Sequence, residues 1–182
     1  FKPVAPMLAS PAEDVDEALA RLHEAAWEYK LDGARIQIHK GGGDVRIFTR
    51  QMQAVTVRLP DIGAWAMRLP VREAILDGEA IALRPDGRPQ PFQVTMRRFG
   101  RQKDVAALQQ DIPLSPFMFD LLALDGVPFI AQPYRERMRV LTDLAASATV
   151  SRIETRDPDE VRTFFQAALA AGHEGNMAKS LQ

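Results

Sequence analysis

Glu28-Tyr29-Lys30-Leu31-Asp32-Gly33-Ala34-Arg35 is the stretch on which the reading of this chain turns. Before it, Trp27 and Tyr29 alternate with Glu28 and Lys30; after it, Ile36 and Ile38 continue the same period of two. Two strands are implied, and in the first of them Glu28 and Lys30 point to one face. Asp32-Gly33 turns the chain and brings Arg35 back beside them. A lysine amine is a nucleophile only when deprotonated. Burial or a nearby cation lowers its pKa, whereas flanking carboxylates raise it. The segment therefore reads either as a charged hairpin or as a nucleophile whose activating cations, or a metal on the carboxylates, come from elsewhere.

Working outward, Asp14 to Ala26 reads as a helix with Val15, Leu19, Leu22 and Ala26 on one face. Gly41-Gly42-Gly43-Asp44 is a hairpin connection into a strand over Val45 to Thr49. No Lys-Ser/Thr pair follows those glycines, so they are not a phosphate-binding P-loop. Further strands are expected over Glu73–Leu83, Ser115–Leu124 and Asn176–Leu181, with turns at Pro85-Asp86-Gly87-Arg88 and Asp125-Gly126. Gln90 to Val94 leads into a mixed region. Tyr134–Ala146 reads as a helix, and Asp157-Pro158 caps another that runs to Ala171 and stops at Gly172. The class is α+β, antiparallel sheets with flanking helices. A Rossmann arrangement is disfavoured because no Gly-x-Gly-x-x-Gly follows a strand.

Composition narrows the functions. The chain has 182 residues, of which 46% are hydrophobic and 26% charged, enough for one domain with a sizeable core. Cysteine is absent, which excludes disulfides, thiolate metal sites and cysteine nucleophiles. The three histidines, His23, His39 and His173, are scattered, which disfavours a zinc site. No apolar run is long enough for a membrane span, and Phe1 to Ser10 does not read as a signal peptide. The lack of an initiator Met suggests a fragment. A net charge of −1 does not support a whole-surface grip on nucleic acid. The charge is uneven, however: Glu13, Asp14, Asp16, Glu17 and Glu24 make the first helix acidic, while Arg84, Arg88, Arg97, Arg98, Arg101 and Lys103 make the middle basic. The basic run fits either a solvated loop or a track for a phosphate backbone, with Arg97, Arg98, Arg101 and Lys103 as the nucleic-acid candidates.

More carboxylates recur near turns: Asp77 and Glu79 in Leu76-Asp77-Gly78-Glu79, with Glu79 at a strand start; Asp120 after Phe119; and Glu174 before a strand that ends at Lys179. Singly, each is an ordinary strand-end feature. Together they imply one sheet face of carboxylates, lysines and arginine, suited to a nucleotide and Mg²⁺.

The order of these segments resembles the covalent nucleotidyltransferases, namely DNA ligases, RNA ligases and mRNA capping enzymes. Lys30 to Arg35 matches their Lys-x-Asp-Gly-x-Arg motif. Phe48-Thr49-Arg50, Leu76 to Glu79, Pro116 to Leu122 continuing to Leu124-Asp125-Gly126, and Glu174 to Lys179 resemble the family's later motifs in order. Pro6-Met7-Leu8-Ala9 and the Phe-Asp-Leu-Leu-x-Leu-Asp-Gly stretch look most like cellular ATP-dependent DNA ligases of bacteria and archaea. The resemblance implies an ATP-grasp-like nucleotidyltransferase fold and a set of roles. Lys30 would attack ATP to give lysyl-AMP, and Glu28 would lie at the adenine edge. Arg35 and Arg50 would contact the nucleotide and then the 5′-phosphate of a nick. Glu79 would face the ribose, Phe119 would stack on adenine, Glu174 and Asp32 would serve Mg²⁺ or Mn²⁺, and Lys179 is a phosphate candidate. Implied partners are ATP and nicked double-stranded DNA, with a monomer in a prokaryotic cytoplasm. Asn176 departs from the family's usual aliphatic residue. Residues 1–182 read as an adenylation domain that stops at Gln182, before the paired lysines and OB-fold, and that lacks the usual N-terminal DNA-binding extension. An RNA ligase or capping-type enzyme, and a nucleotide- or nick-binding fragment without chemistry, are the alternatives.

Overall fold

The computed structural model describes residues 1–100 and 103–182. The alternating segments form two antiparallel sheets. β1 (Ala25–Lys30) is the central strand of a three-stranded sheet, between β7 (Arg152–Thr155) and β8 (Gly175–Ser180). The other sheet has five strands: β2 (Ala34–Gly41), β3 (Asp44–Thr49), β4 (Ala74–Ala82), β5 (Leu114–Leu124) and β6 (Val127–Pro128), in the order β3-β2-β4-β5-β6. The stretch around Lys30 is thus not a hairpin. β1 and β2 follow one another in sequence but lie in different sheets: Lys30 pairs with Gly175 of β8, while Arg35 pairs with Glu79 of β4. Leu31-Asp32-Gly33 is the corner between the sheets.

That corner needs its glycine. A Cβ on Gly33 would lie 2.6 Å from Ile81 Cγ1 and 2.8 Å from the Ala80 carbonyl oxygen, so the chain passes too close to β4 for any side chain. β4 makes a second close approach at Gly78, where a Cβ would meet the Phe117 carbonyl oxygen at 2.3 Å beside a register shift against β5. Glu79, expected at a strand start, therefore lies well inside β4, between Arg35 and Phe117.

Helices α1 (Val15–Leu22) and α6 (Pro158–Ala170) cover the outer face of the small sheet, burying Ala18, Trp27 and Val161 with Phe164 and Ala178 against them. The cap read from sequence is present, the Asp157 carboxylate accepting from Asp159 N at 2.8 Å, and Asp14 caps α1 in the same way, accepting from Glu17 N at 2.8 Å. α1 ends at Leu22, short of the expected Ala26, because His23 turns left-handed (φ 63°) and Ala25 already belongs to β1. The expected hairpin turns form with positive φ at Gly42 and Gly43 and at Asp125 and Gly126.

The main core lies on the large sheet, where Ile36, Ile38, Ile47, Leu76 and Leu121 pack with residues of α2 (Pro60–Met67) and α5 (Tyr134–Ala145). α2, α3 (Phe92–Gly100) and α4 (Val105–Asp111) have no clear signal in the sequence. Such short helices are marginal alone and depend on tertiary contacts. Arg98 supplies several of these. Its guanidinium makes two hydrogen bonds at 2.8 Å to the Asp61 carboxylate and others to the carbonyls of Ile112 and Arg58. Asp61 also accepts from Leu114 N, tying α2, α3 and the start of β5 together. Arg98 is a nucleic-acid candidate by sequence, and the structure corrects this. The side chain is 1% exposed and its donors are spent inside the protein. Arg97 and Lys103 are exposed, and Arg101 lies outside the described residues.

Candidate active site

The strand pairing brings Glu28 and Lys30 of β1 onto the same face as Lys179 of β8 and Arg152 of β7. The large sheet contributes Arg35 of β2, Asp77 and Glu79 of β4 and Phe119 of β5. Lys30 lies at the open end of β1 and forms an ion pair with Glu174, whose backbone N–H also donates to the Lys30 carbonyl at 3.0 Å. This pairing occupies the amine, so Lys30 is free to meet another group only when Glu174 is drawn away.

Across the corner, Glu79 accepts a hydrogen bond from Gly33 N at 2.8 Å. Burial pushes its carboxyl pKa up to about 7, although the Gly33 N–H and the charges of Arg35 and Lys30 favour ionisation. Arg35 is held by a bidentate pair with Asp77, Nε at 3.1 Å and Nη2 at 2.6 Å, which fixes the plane of its guanidinium. Arg35 Cζ lies 5.1 Å from the centre of the Phe119 ring. Lys179 Nζ lies 4.6 Å from the same ring. The half-buried Phe119 is therefore an aromatic surface attended by two cations.

Glu28 is 1% exposed and is satisfied entirely by protein groups. Lys179 Nζ lies 2.6 Å from Oε2, and the Tyr134 hydroxyl donates to Oε1. Burial and the neighbouring carboxylate push the Tyr134 hydroxyl pKa up, keeping it a donor. Any further group that reaches Glu28 must displace Lys179 or Tyr134. Sequence reasoning misses Tyr134, because a tyrosine at the start of a helix carries no signal of a partner 106 residues away. Asp77 stands out in the sequence only as part of a motif, and its grip on Arg35 emerges from the β2–β4 pairing.

Two candidates stand apart from this cluster. Arg50 is exposed just beyond the end of β3, one residue past the partner of Ile36. Asp32 is exposed at the corner, two residues from Lys30. Among the described residues no three His, Asp or Glu side chains converge as a ready-made metal cage.

The family described as ATP dependent DNA ligase domain matches residues 6–182. The chain belongs to this ATP-dependent DNA ligase family. A "Probable DNA ligase" of Anaeromyxobacter sp. (strain Fw109-5) is 54% identical over 182 residues, covering 100% of this chain and 35% of that protein. One of Sorangium cellulosum is 51% identical, covering 100% and 34%. The chain thus spans about a third of the length of these curated relatives. Among solved structures, the ligase domain of LigD from M. tuberculosis superposes with a TM-score of 0.75 at 27% identity, covering 98% of this chain and 55% of that one. A mycobacterial DNA ligase D complexed with ATP and MES gives 0.69 at 27% identity, covering 88% and 49%. The Chlorella virus DNA ligase-adenylate, at 17% identity and a TM-score of 0.66, shares the fold over 98% of this chain and 61% of its own. These likenesses establish the α+β nucleotidyltransferase fold of DNA ligases. No helix among the described residues is long and apolar enough to cross a membrane.

Proposed function

We propose that this chain is the adenylation domain of an ATP-dependent DNA ligase, with Lys30 as the residue that carries AMP. The observation that carries the reading is the corner Lys30 to Arg35. It sets an exposed lysine at the mouth between two sheets, with Arg35, Glu79 and Phe119 on the facing strands. Family membership supports the same assignment.

In the first step Lys30 Nζ loses a proton and attacks the α-phosphorus of ATP. The P–N bond forms as the bond to the β-phosphate oxygen breaks, and pyrophosphate leaves. In the second, an oxygen of the nick's 5′-phosphate displaces Lys30 from that phosphorus, giving a 5′–5′ pyrophosphate bond to AMP. In the third, the 3′-hydroxyl attacks the 5′-phosphate, its proton departs and AMP is released. Such transfers need in-line positioning and neutralised charge more than a strong base. Arg35, fixed by Asp77, meets the nucleotide over Phe119. Phe119 offers a flat apolar face to adenine, and Glu79 lies where a ribose hydroxyl bonds to its carboxyl. Arg50 reaches the nucleotide or the incoming 5′-phosphate. Lys179, freed from Glu28 by the base edge, becomes available to phosphate oxygens.

Mg²⁺ or Mn²⁺ neutralises phosphate charge when bound. Mg²⁺ is commonly held by one or two carboxylates plus substrate phosphates, so exposed Glu174 and Asp32 fit a site that the nucleotide completes. Glu174, which pairs with Lys30 here, would be the residue shared between the amine and such an ion. The partner is nicked double-stranded DNA, bound by a monomer in a prokaryotic cytoplasm. The test is incubation of the intact protein with α-labelled ATP and Mg²⁺, followed by addition of nicked duplex. Covalent label that is lost on adding pyrophosphate and passes to the nick is expected. Labelling by GTP in preference to ATP, or no transfer to DNA, would contradict the reading.

A further inference from the structure

A cleft of about 460 Å³ lies immediately beside the Lys30 corner, lined by Asp32, Arg84, Asp86, Arg88, Pro89 and Gly172 among others. Glu28, Glu79 and Phe119 are not part of its lining, so it adjoins the nucleotide cluster through Asp32 without including it. One wall is the hairpin that continues β4. Arg84 N donates to the Arg88 carbonyl at 2.7 Å, Gly87 N to the Arg84 carbonyl at 2.9 Å, and Leu83 bridges Pro89. The two arginines therefore leave the backbone side by side. The other wall is the end of α6, where Gly172 sits at φ +90°; a Cβ there would lie 3.2 Å from Pro89 Cδ. The hairpin is thus braced against the segment that leads, two residues later, to Glu174, the partner of Lys30.

Arg35, Arg98, Arg135, Arg137, Arg152 and Arg162 are all paired with carboxylates. Arg84 and Arg88 are exposed and form no ion pair among the described residues, as is also true of Arg50, Arg68, Arg72, Arg97 and Arg156, but only these two line the cleft, and they do so side by side. Asp86, the nearest carboxylate on the hairpin, accepts from Arg88 N at 3.0 Å and serves the turn. Two guanidiniums on a braced backbone over an open cleft suit an oxyanion with several oxygens, and phosphate is the natural ligand.

We propose that Arg84 and Arg88 hold a backbone phosphate of the DNA strand beside the nick. This deepens, and rests on, the reading of the chain as a DNA ligase domain. Arg84 lies five residues beyond Glu79 along an extended strand, roughly 17 Å. Successive phosphates of one strand rise about 3.4 Å each along the duplex, so the hairpin meets a phosphate displaced along the strand from the reacting one. The triphosphate tail of ATP offers only two groups beyond the α-phosphate.

The experiment uses the intact protein, adenylylated on Lys30 and freed of ATP, and follows its affinity for nicked duplex as salt is varied. In Arg84→Gln/Arg88→Gln, affinity falls roughly tenfold at moderate salt, and the log–log salt slope shrinks by about 0.9 for each phosphate no longer neutralised. Arg84→Lys/Arg88→Lys keeps most of the slope while losing the bidentate grip. It also carries the test should the glutamine variant melt early. An unchanged slope in a folded glutamine variant overturns the proposal. So does a raised KM for ATP in self-adenylylation with nick binding unaltered, which would assign the pair to the triphosphate. Failure of the DNA-ligase reading looks different: the unsubstituted protein itself then fails to take AMP from ATP or to bind the nick.

Discussion

Asn176 shows how one residue sets its surroundings. It lies opposite Tyr29 in the β1–β8 pairing, on the face covered by α6, and both polar atoms of its amide are buried without a partner. His173, whose ring lies 5.3 Å from that of Tyr29, has an unpartnered Nδ1 as well. A buried unsatisfied polar group costs about 1–3 kcal/mol, so Asn176→Leu should stabilise the fold by that order in denaturant titration. A clear drop in stability would show that the amide has a partner. Glu79 makes a prediction with a definite sign. Its folded-state pKa, raised to about 7 by burial, exceeds the unfolded value of 4.5. The folded state therefore binds the proton more tightly, and stability is lost as pH rises from about 4.5 through 7, with no further change above. Glu79→Gln should remove that slope, read as the difference between the two pH–stability curves. Parallel curves would refute the shift. Neither effect is legible in sequence. Asn176 can be named as a departure, but burial decides its cost. Glu79 looks like an exposed strand end, whereas the Gly33 corner packs against it.

At the scale of elements, the strands are the legible part. Period-two alternation marks β1 and β2, a largely apolar run marks β5, and glycine or Asp-Gly turns mark where strands end. The pairing is not legible, because alternation says which face a residue takes and nothing about which sheet a strand joins. Lys30 to Arg35 accordingly looks like one hairpin and is instead a passage between two sheets. α2, α3 and α4 escape because each is short; α2 and α3 are held by the Arg98–Asp61 pair, a contact across 37 residues, and Arg98 also bonds the Ile112 carbonyl at the end of α4. The same contact explains why Arg98 looks like a surface cation. The corner itself gives a prediction at this scale. Gly33→Ala forces a methyl group onto Ile81 and the Ala80 carbonyl, and should cost about 1–3 kcal/mol of stability. It should also shift Glu79, which receives the Gly33 N–H. Thermal melting checks the first consequence. Wild-type stability in the alanine variant would mean that β4 yields easily at this point.

For the molecule as a whole, the two sheets divide the chemistry between them. The small sheet holds Lys30, Glu28 and Lys179; the large one holds Arg35, Glu79 and Phe119. The corner Lys30 to Arg35 joins the two sheets, so the proposed nucleophile lies where they meet. Motif order in the sequence anticipates which residues gather there, because those motifs lie at strand ends and centres that the topology brings together. The Tyr134–Glu28–Lys179 network, built from three distant elements, is beyond its reach. The central claim is that Lys30 becomes covalently linked to AMP. The direct measurement is peptide mapping by mass spectrometry after incubating the intact protein with ATP and Mg²⁺. An adenylyl group on the peptide containing Lys30, absent from Lys30→Ala, is the predicted result; an adenylyl group on another residue, or one that persists in Lys30→Ala, would contradict it.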